Sequence, residues 1–170
     1  MTLVVIDDFL SSEECVKYIK EINDVKYTNE FTNATYARTN KYVNNDLSKY
    51  FFEKIKERNI QELQDVIRPN NLIMTAKYDS GMEFGLHTDT GLYYNAKEKI
   101  SSKYTVLVYL NDDFEHGETV FYDKTFKETD IIKPMKGKCI IFNMDIFHRG
   151  AKVEKGSKYW IGCELIAPFI

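Results

Sequence analysis

The sequence predicts a jelly roll, or double-stranded β-helix, buttressed by N-terminal helices: a mainly β member of the α+β class. Three observations carry this prediction. Helical spacing of apolar residues is confined to the first 68 positions. From Leu72 onward, short segments rich in β-branched and aromatic residues alternate with turns. No helical pattern separates those segments, which argues against a parallel βαβ sheet and for a sandwich or barrel.

Element by element, Leu3-Val4-Val5-Ile6 reads as a short apolar strand. Ser11-x-x-Glu14 forms a capping-box pattern, and Cys15, Tyr18, Ile19 and Ile22 repeat behind it at helical spacing, so a helix is expected over 12–23. A second helix is expected from Leu47 to Ile67, with Leu47, Phe51, Ile55, Leu63 and Val66 on its core side and Pro69 as its stop. Strands are expected over 72–78, 82–87, 104–110, 118–122, 129–133, 138–142 and 157–167. Their separators, such as Asp79-Ser80-Gly81, His116-Gly117 and Lys136-Gly137, carry turn chemistry. No repeat, low-complexity tract or linker interrupts the chain. A single domain over 1–170 is expected, with helical support over about 1–68 and a jelly-roll core over about 72–168.

Composition narrows the function classes. The 170 residues are 44% hydrophobic and 29% charged, as in a soluble globular protein. With 23 basic against 26 acidic residues, the net charge of −3 gives no electrostatic footprint for nucleic acid. Apolar runs such as Cys139-Ile140-Ile141-Phe142 are far short of the ~20 residues a membrane span needs. No basic patch precedes an apolar stretch at the N-terminus, so the expectation is a cytoplasmic protein without signal peptide or membrane contact. Cys15, Cys139 and Cys163 form no C-x-x-C motif and read as small buried hydrophobes in a reducing compartment.

The chemistry is concentrated in a few positions. His87-Thr88-Asp89 sets an imidazole and a carboxylate at i and i+2, on one face of an extended strand. His148 follows shortly after the apolar strand Cys139–Phe142. Two histidines and a carboxylate make the facial triad of non-haem iron, leaving open positions for a bidentate cosubstrate and dioxygen. Zinc enzymes use the same ligand types, so the residues alone leave the metal open. Lys158 stands ten positions after His148, beside the apolar run Tyr159-Trp160-Ile161. Pointing inward, its unpaired ammonium would cost several kcal/mol, which a dicarboxylate ligand would offset; pointing outward, it would be a solvated charge.

These residues, in this order, resemble the 2-oxoglutarate and iron-dependent dioxygenases of the prolyl 4-hydroxylase type. The likeness runs from about Leu3 to Leu165. Its most specific part is His87-Thr88-Asp89, His148 and Lys158, similar to the family's H-x-D…H…K pattern. Tyr78-Asp79-Ser80-Gly81, Tyr109-Leu110-Asn111, Gly117-Glu118-Thr119-Val120-Phe121 and Phe147-His148-Arg149-Gly150 are similar to its strand motifs. The resemblance implies Fe(II) held by His87, Asp89 and His148, and 2-oxoglutarate paired with Lys158, with Tyr78, Thr119 and Tyr109 as hydroxyl partners. It implies dioxygen as co-reactant, ascorbate as a candidate reductant, and release of succinate and carbon dioxide as a C–H bond is hydroxylated. Arg38-Thr39-Asn40 resembles the segment whose arginine faces a peptide substrate. Trp160 is expected to wall the pocket, and Tyr93 and Tyr94 belong to a stretch, Thr90–Ser102, read as a mobile lid.

Two departures weaken the peptide preference: His116 stands where the family has the first glycine of G-G-E-T, and Ser102-Lys103 where it often has an arginine. His116 reads as a turn residue rather than a ligand. The expected substrate is a peptidyl proline in an extended peptide or protein. A free amino acid or other small molecule is the alternative, and a non-catalytic jelly-roll binding module the second. A nucleic-acid demethylase of the same superfamily is disfavoured by the acidic balance.

Overall fold

The computed structural model describes residues 2–24 and 38–169, without the side chain of Arg38. The chain begins with β1 (Leu3–Ile6), α1 (Ser12–Asp24), β2 (Arg38–Val43) and α2 (Asn45–Glu57). Strands β3 (Arg68–Pro69), β4 (Leu72–Asp79), β5 (Phe84–His87), β6 (Tyr94–Asn95), β7 (Ile100–Tyr109), β8 (Glu115–His116) and β9 (Thr119–Tyr122) follow. The rest is β10 (Glu128–Ile132), β11 (Cys139–Asn143), β12 (Phe147–Gly150), β13 (Val153–Lys155) and β14 (Ser157–Pro168). A large sheet in the order β1-β11-β7-β14-β4-β2, with β3 and β6 at its side, faces a smaller sheet in the order β10-β9-β12-β5. Every strand pairing among the described residues is antiparallel. This is the expected jelly roll with its two supporting helices.

Both helices start where the sequence directs. The Ser11 hydroxyl accepts from the Glu14 amide (3.2 Å) while Glu14 accepts from the Ser11 amide (2.7 Å), closing the capping box. Asn44 caps α2 by accepting from the Leu47 amide at 3.0 Å. The second helix is shorter than expected. It ends at Glu57 because Asn59 takes a left-handed backbone (φ 48°), after which a 3-10 turn over Gln61–Leu63 continues the chain. Leu63 stays in the core, so the apolar spacing past residue 58 marked burial rather than a continuous helix.

The alternation along β14 explains how one sheet serves two purposes. Tyr159, Ile161, Cys163 and Leu165 join Val106, Val108 and Ile141 in a core shared with Phe9, Cys15, Tyr18, Phe51 and Ile55 from the helical layer. The intervening residues Lys158, Trp160, Gly162 and Glu164 share the opposite face. Register places Tyr109 beside Trp160, Leu107 beside Gly162 and Thr105 beside Glu164, with Tyr78 beside Lys158 on the other flank. The two sheets touch through Phe121 and Phe142, whose rings meet edge-on at 5.0 Å. Cys15, Cys139 and Cys163 are buried free thiols, as expected. Among the described residues no helix is long and apolar enough to cross a membrane.

Candidate metal and cosubstrate site

Between the sheets lies a cavity of about 320 Å³. His87 ends β5, His148 lies on β12, and the two are direct cross-strand partners. Asp89 follows two residues after His87, tied by its amide to the Met144 carbonyl at 2.9 Å. The donor atoms of His87, Asp89 and His148 all lie within 4.8 Å of one another, the one such metal-capable group among the described residues.

The hydrogen bonds decide what these atoms offer. His87 Nδ1 is 2.7 Å from the Gly85 carbonyl and His148 Nδ1 is 3.0 Å from the Ile146 carbonyl. Carbonyls only accept, so Nδ1 carries the proton in each ring and Nε2 is left with its lone pair. Both Nε2 atoms face Asp89 Oδ1, at 3.4 and 3.7 Å. Burial pushes the Asp89 carboxyl up, but the two imidazoles and the Thr105 hydroxyl outweigh it and hold it below its ordinary value. Three lone pairs thus face one another and repel unless a cation lies between them. An extra proton on an imidazole is one such cation, but burial lowers the His148 pKa, against the pull of Asp89. The donor set therefore fits a divalent metal, two nitrogens and one oxygen on one side of it.

Lys158 lines the same cavity although only 2% of it is exposed. Its ammonium donates to the Gly117 carbonyl at 2.7 Å and lies 5.1 and 5.5 Å from the Tyr78 and Tyr109 ring centres. No carboxylate bonds it among the described residues; burial pushes its pKa down to about 7, with Glu118 pulling the other way from a distance. Thr119 and Tyr109 share a 2.6 Å hydroxyl contact, and the Trp160 indole donates to the Tyr78 hydroxyl.

Of the residues singled out in the sequence, His87, Asp89, His148, Lys158, Tyr78, Thr119 and Trp160 all line this cavity. Tyr109 sits behind Thr119 and reaches the cavity only through it. Tyr93 and Tyr94 are not brought to the cavity: Arg68 stacks over the Tyr93 ring at 4.5 Å, and Tyr94 stacks on Phe169 at 5.2 Å. The reason is pairing: β6 against β7 makes a short hairpin of the segment read as a lid, and neither ring lines the cavity. Only its first part, Thr90 and Leu92, reaches the cavity. Arg38 opens β2, but its side chain lies outside the described residues. His116 is exposed at φ 65°, paired with Glu118 and Glu154 and not part of the metal-capable group, in the left-handed geometry that a glycine would supply more readily.

Thr105, Leu107, Phe142, Met74, Lys41 and Glu164 also line the cavity and were not anticipated. Glu164 had a signal: a carboxylate in an apolar run, an even number of residues from Lys158. Thr105 had none, since threonine is common in strands.

Comparison with known proteins agrees with this geometry. Residues 73–163, more than half of the chain, match the model of the 2OG-Fe(II) oxygenase superfamily. The chain belongs to that superfamily and is an oxygenase dependent on Fe(II) and 2-oxoglutarate. No curated protein sequence matches significantly. Among solved structures, the viral collagen prolyl hydroxylase of Paramecium bursaria Chlorella virus-1, in complex with 2-oxoglutarate, superposes with a TM-score of 0.71. It is 21% identical, over 100% of this chain and 97% of that one. A Pseudomonas putida prolyl-4-hydroxylase gives a TM-score of 0.68 at 11% identity, over 98% and 93%. A Trichoplax adhaerens prolyl hydroxylase in complex with a hypoxia-inducible-factor peptide fragment gives 0.67 at 16%, over 97% and 83%.

Proposed function

We propose that the protein hydroxylates a prolyl residue of an extended peptide, with His87, Asp89 and His148 holding iron and Lys158 anchoring 2-oxoglutarate. The observation that carries this reading is Lys158: a buried ammonium, without a carboxylate partner among the described residues, in the same cavity as the triad. With iron held there, dioxygen would supply one oxygen atom to the succinate left as 2-oxoglutarate loses carbon dioxide and the other to the C–H bond that is hydroxylated.

The chain's own groups set the conditions for that chemistry. Lys158 pairs with the distal carboxylate, and the Thr119 and Tyr78 hydroxyls add hydrogen bonds beside it. Phe142 and Trp160 exclude water, while the Gly85 and Ile146 carbonyls fix both imidazoles in the ligating tautomer. A proline-containing peptide is already extended and loses little entropy on entering the cleft beside β2. The prolyl hydroxylases of similar fold support this substrate class.

A free amino acid or small molecule is the second reading. Its support is that Ser102 and Lys103 are engaged by Glu164 and Asp65 rather than offered to a peptide. The test is incubation with Fe(II), 2-oxoglutarate and either proline-rich peptides or free amino acids, with mass spectrometry of both pools. Oxygen on peptidyl proline, with matching succinate, is the expected result. Oxygen on free amino acids alone overturns the peptide reading.

A further inference from the structure

The reading above uses one end of the cavity, where Lys158 waits for an anion. The other end holds a charge it does not use. Glu164 is six residues further along β14, on the same face, ~20 Å away at the usual rise of a strand. It lines the cavity, yet only 1% of it is exposed. Its carboxylate accepts from Asn70 Nδ2 (2.9 Å), from the Leu92 amide (3.1 and 3.2 Å) and from the Ser102 hydroxyl (2.5 Å). Every one of these partners is a neutral donor, and Glu164 donates to none of them. No lysine or arginine forms an ion pair with it among the described residues.

A buried carboxylate held only by neutral dipoles keeps its charge electrostatically uncompensated. In a cavity wall of low dielectric, its field extends into the space it faces and is little screened by salt. The other charged groups facing that space do not cancel it. Asp89 is committed to the metal, Lys158 lies at the far end, and Lys41 is exposed on the rim without pairing to Glu164. The molecule as a whole is also acidic, at −3.

We infer that Glu164 makes the cavity selective for a substrate bearing a positive charge, an ammonium or guanidinium, near the carbon that is oxidised. This deepens the proposed function and rests on it for the location of the reacting carbon. The shared chemistry could come from a basic residue next to the target in a peptide or from the charged side chain of a free basic amino acid. A role of Glu164 as a mere fastener for Leu92 and Ser102 would affect all substrates alike; a charge role affects the difference between charged and neutral ones.

The experiment measures binding, so it does not depend on turnover. Enzyme loaded with Fe(II) and 2-oxoglutarate is titrated under argon with proline peptides that differ only in a lysine or a glutamine beside the proline. A parallel arm compares free lysine with free glutamine. In at least one arm the basic member should bind about tenfold tighter. That advantage should survive about 0.5 M salt, as a buried charge requires, disappear in Glu164→Gln and persist in Glu164→Asp. Equal binding in both arms, loss of the preference in salt, or its survival in Glu164→Gln overturns the inference. Should Glu164→Gln fail to fold, the wild-type ratio and its salt response still decide. Mass spectrometry of aerobic samples separates the two claims: oxygen on the basic residue with the preference intact refutes only the prolyl reading.

Discussion

The Thr105 hydroxyl donates to Asp89 Oδ2 at 2.5 Å, while Oδ1 of the same carboxylate faces the two imidazoles. One oxygen is thereby held by the large sheet and the other is left for the metal. Thr105 is buried, so nothing replaces its hydroxyl if it is removed. Thr105→Val keeps the shape and strands Oδ2. Iron affinity should fall roughly 10- to 100-fold, the usual effect of losing such a partner. Titration with Fe(II) under argon, read by calorimetry, checks this; an unchanged affinity means that Asp89 is positioned by its backbone alone.

Lys158 makes stability depend on pH in an unusual direction. Its folded pKa is lowered to about 7 from an ordinary 10.5 by burial, with Glu118 opposing. Between those values the unfolded chain holds the proton and the folded chain does not, so the unfolded state binds more protons and stability rises with pH. The cost of the buried charge is full below about pH 7 and is relieved as pH climbs toward 10.5. Lys158→Met removes that cost. Its stability advantage over wild type should be largest near neutrality and shrink by up to about 1.4 kcal/mol per pH unit above it. Urea unfolding of both proteins at several pH values, without 2-oxoglutarate, measures the difference. A constant difference across that window contradicts the assignment.

Gly162 lies between Trp160 and Glu164 on the cavity-facing row of β14. A Cβ there would stand 1.9 Å from the Val106 carbonyl oxygen, a backbone atom of the neighbouring strand that cannot swing aside. Gly162→Ala should destabilise the protein by roughly 3 kcal/mol, the upper range of overpacking. A thermal melt decides, and an unshifted transition would show that β14 and β7 separate more easily than their register suggests.

Much of this site was legible in the sequence because strand alternation converts spacing into geometry. His87 and Asp89 at i and i+2, and Lys158 and Trp160 likewise, had to share faces, and they do. The apolar residues of α1 and the Ser11–Glu14 cap defined that helix from local chemistry alone. What failed depended on long-range pairing. The end of α2 is set by the Asn59 backbone, which apolar spacing does not encode. Tyr93 and Tyr94 do not line the cavity because β6 pairs with β7, and two-residue strands leave almost no pattern to read. Strand β2 was missed as a strand for a related reason: Arg38-Thr39-Asn40-Lys41 has no apolar alternation, and only pairing with β4 makes it extended. The Thr105–Asp89 bond joins residues from two strands whose register the sequence does not state.

The central claim is that one cavity holds iron through His87, Asp89 and His148 and 2-oxoglutarate through Lys158. Calorimetric titration of 2-oxoglutarate under argon, with and without Fe(II), into wild type, His148→Ala and Lys158→Ala tests it most directly. The account predicts tight binding only for wild type with iron, and a loss of at least about 100-fold in Lys158→Ala, as when a buried charge loses its partner. Unchanged 2-oxoglutarate affinity in Lys158→Ala, or iron-independent binding equal to that of the loaded enzyme, would contradict it.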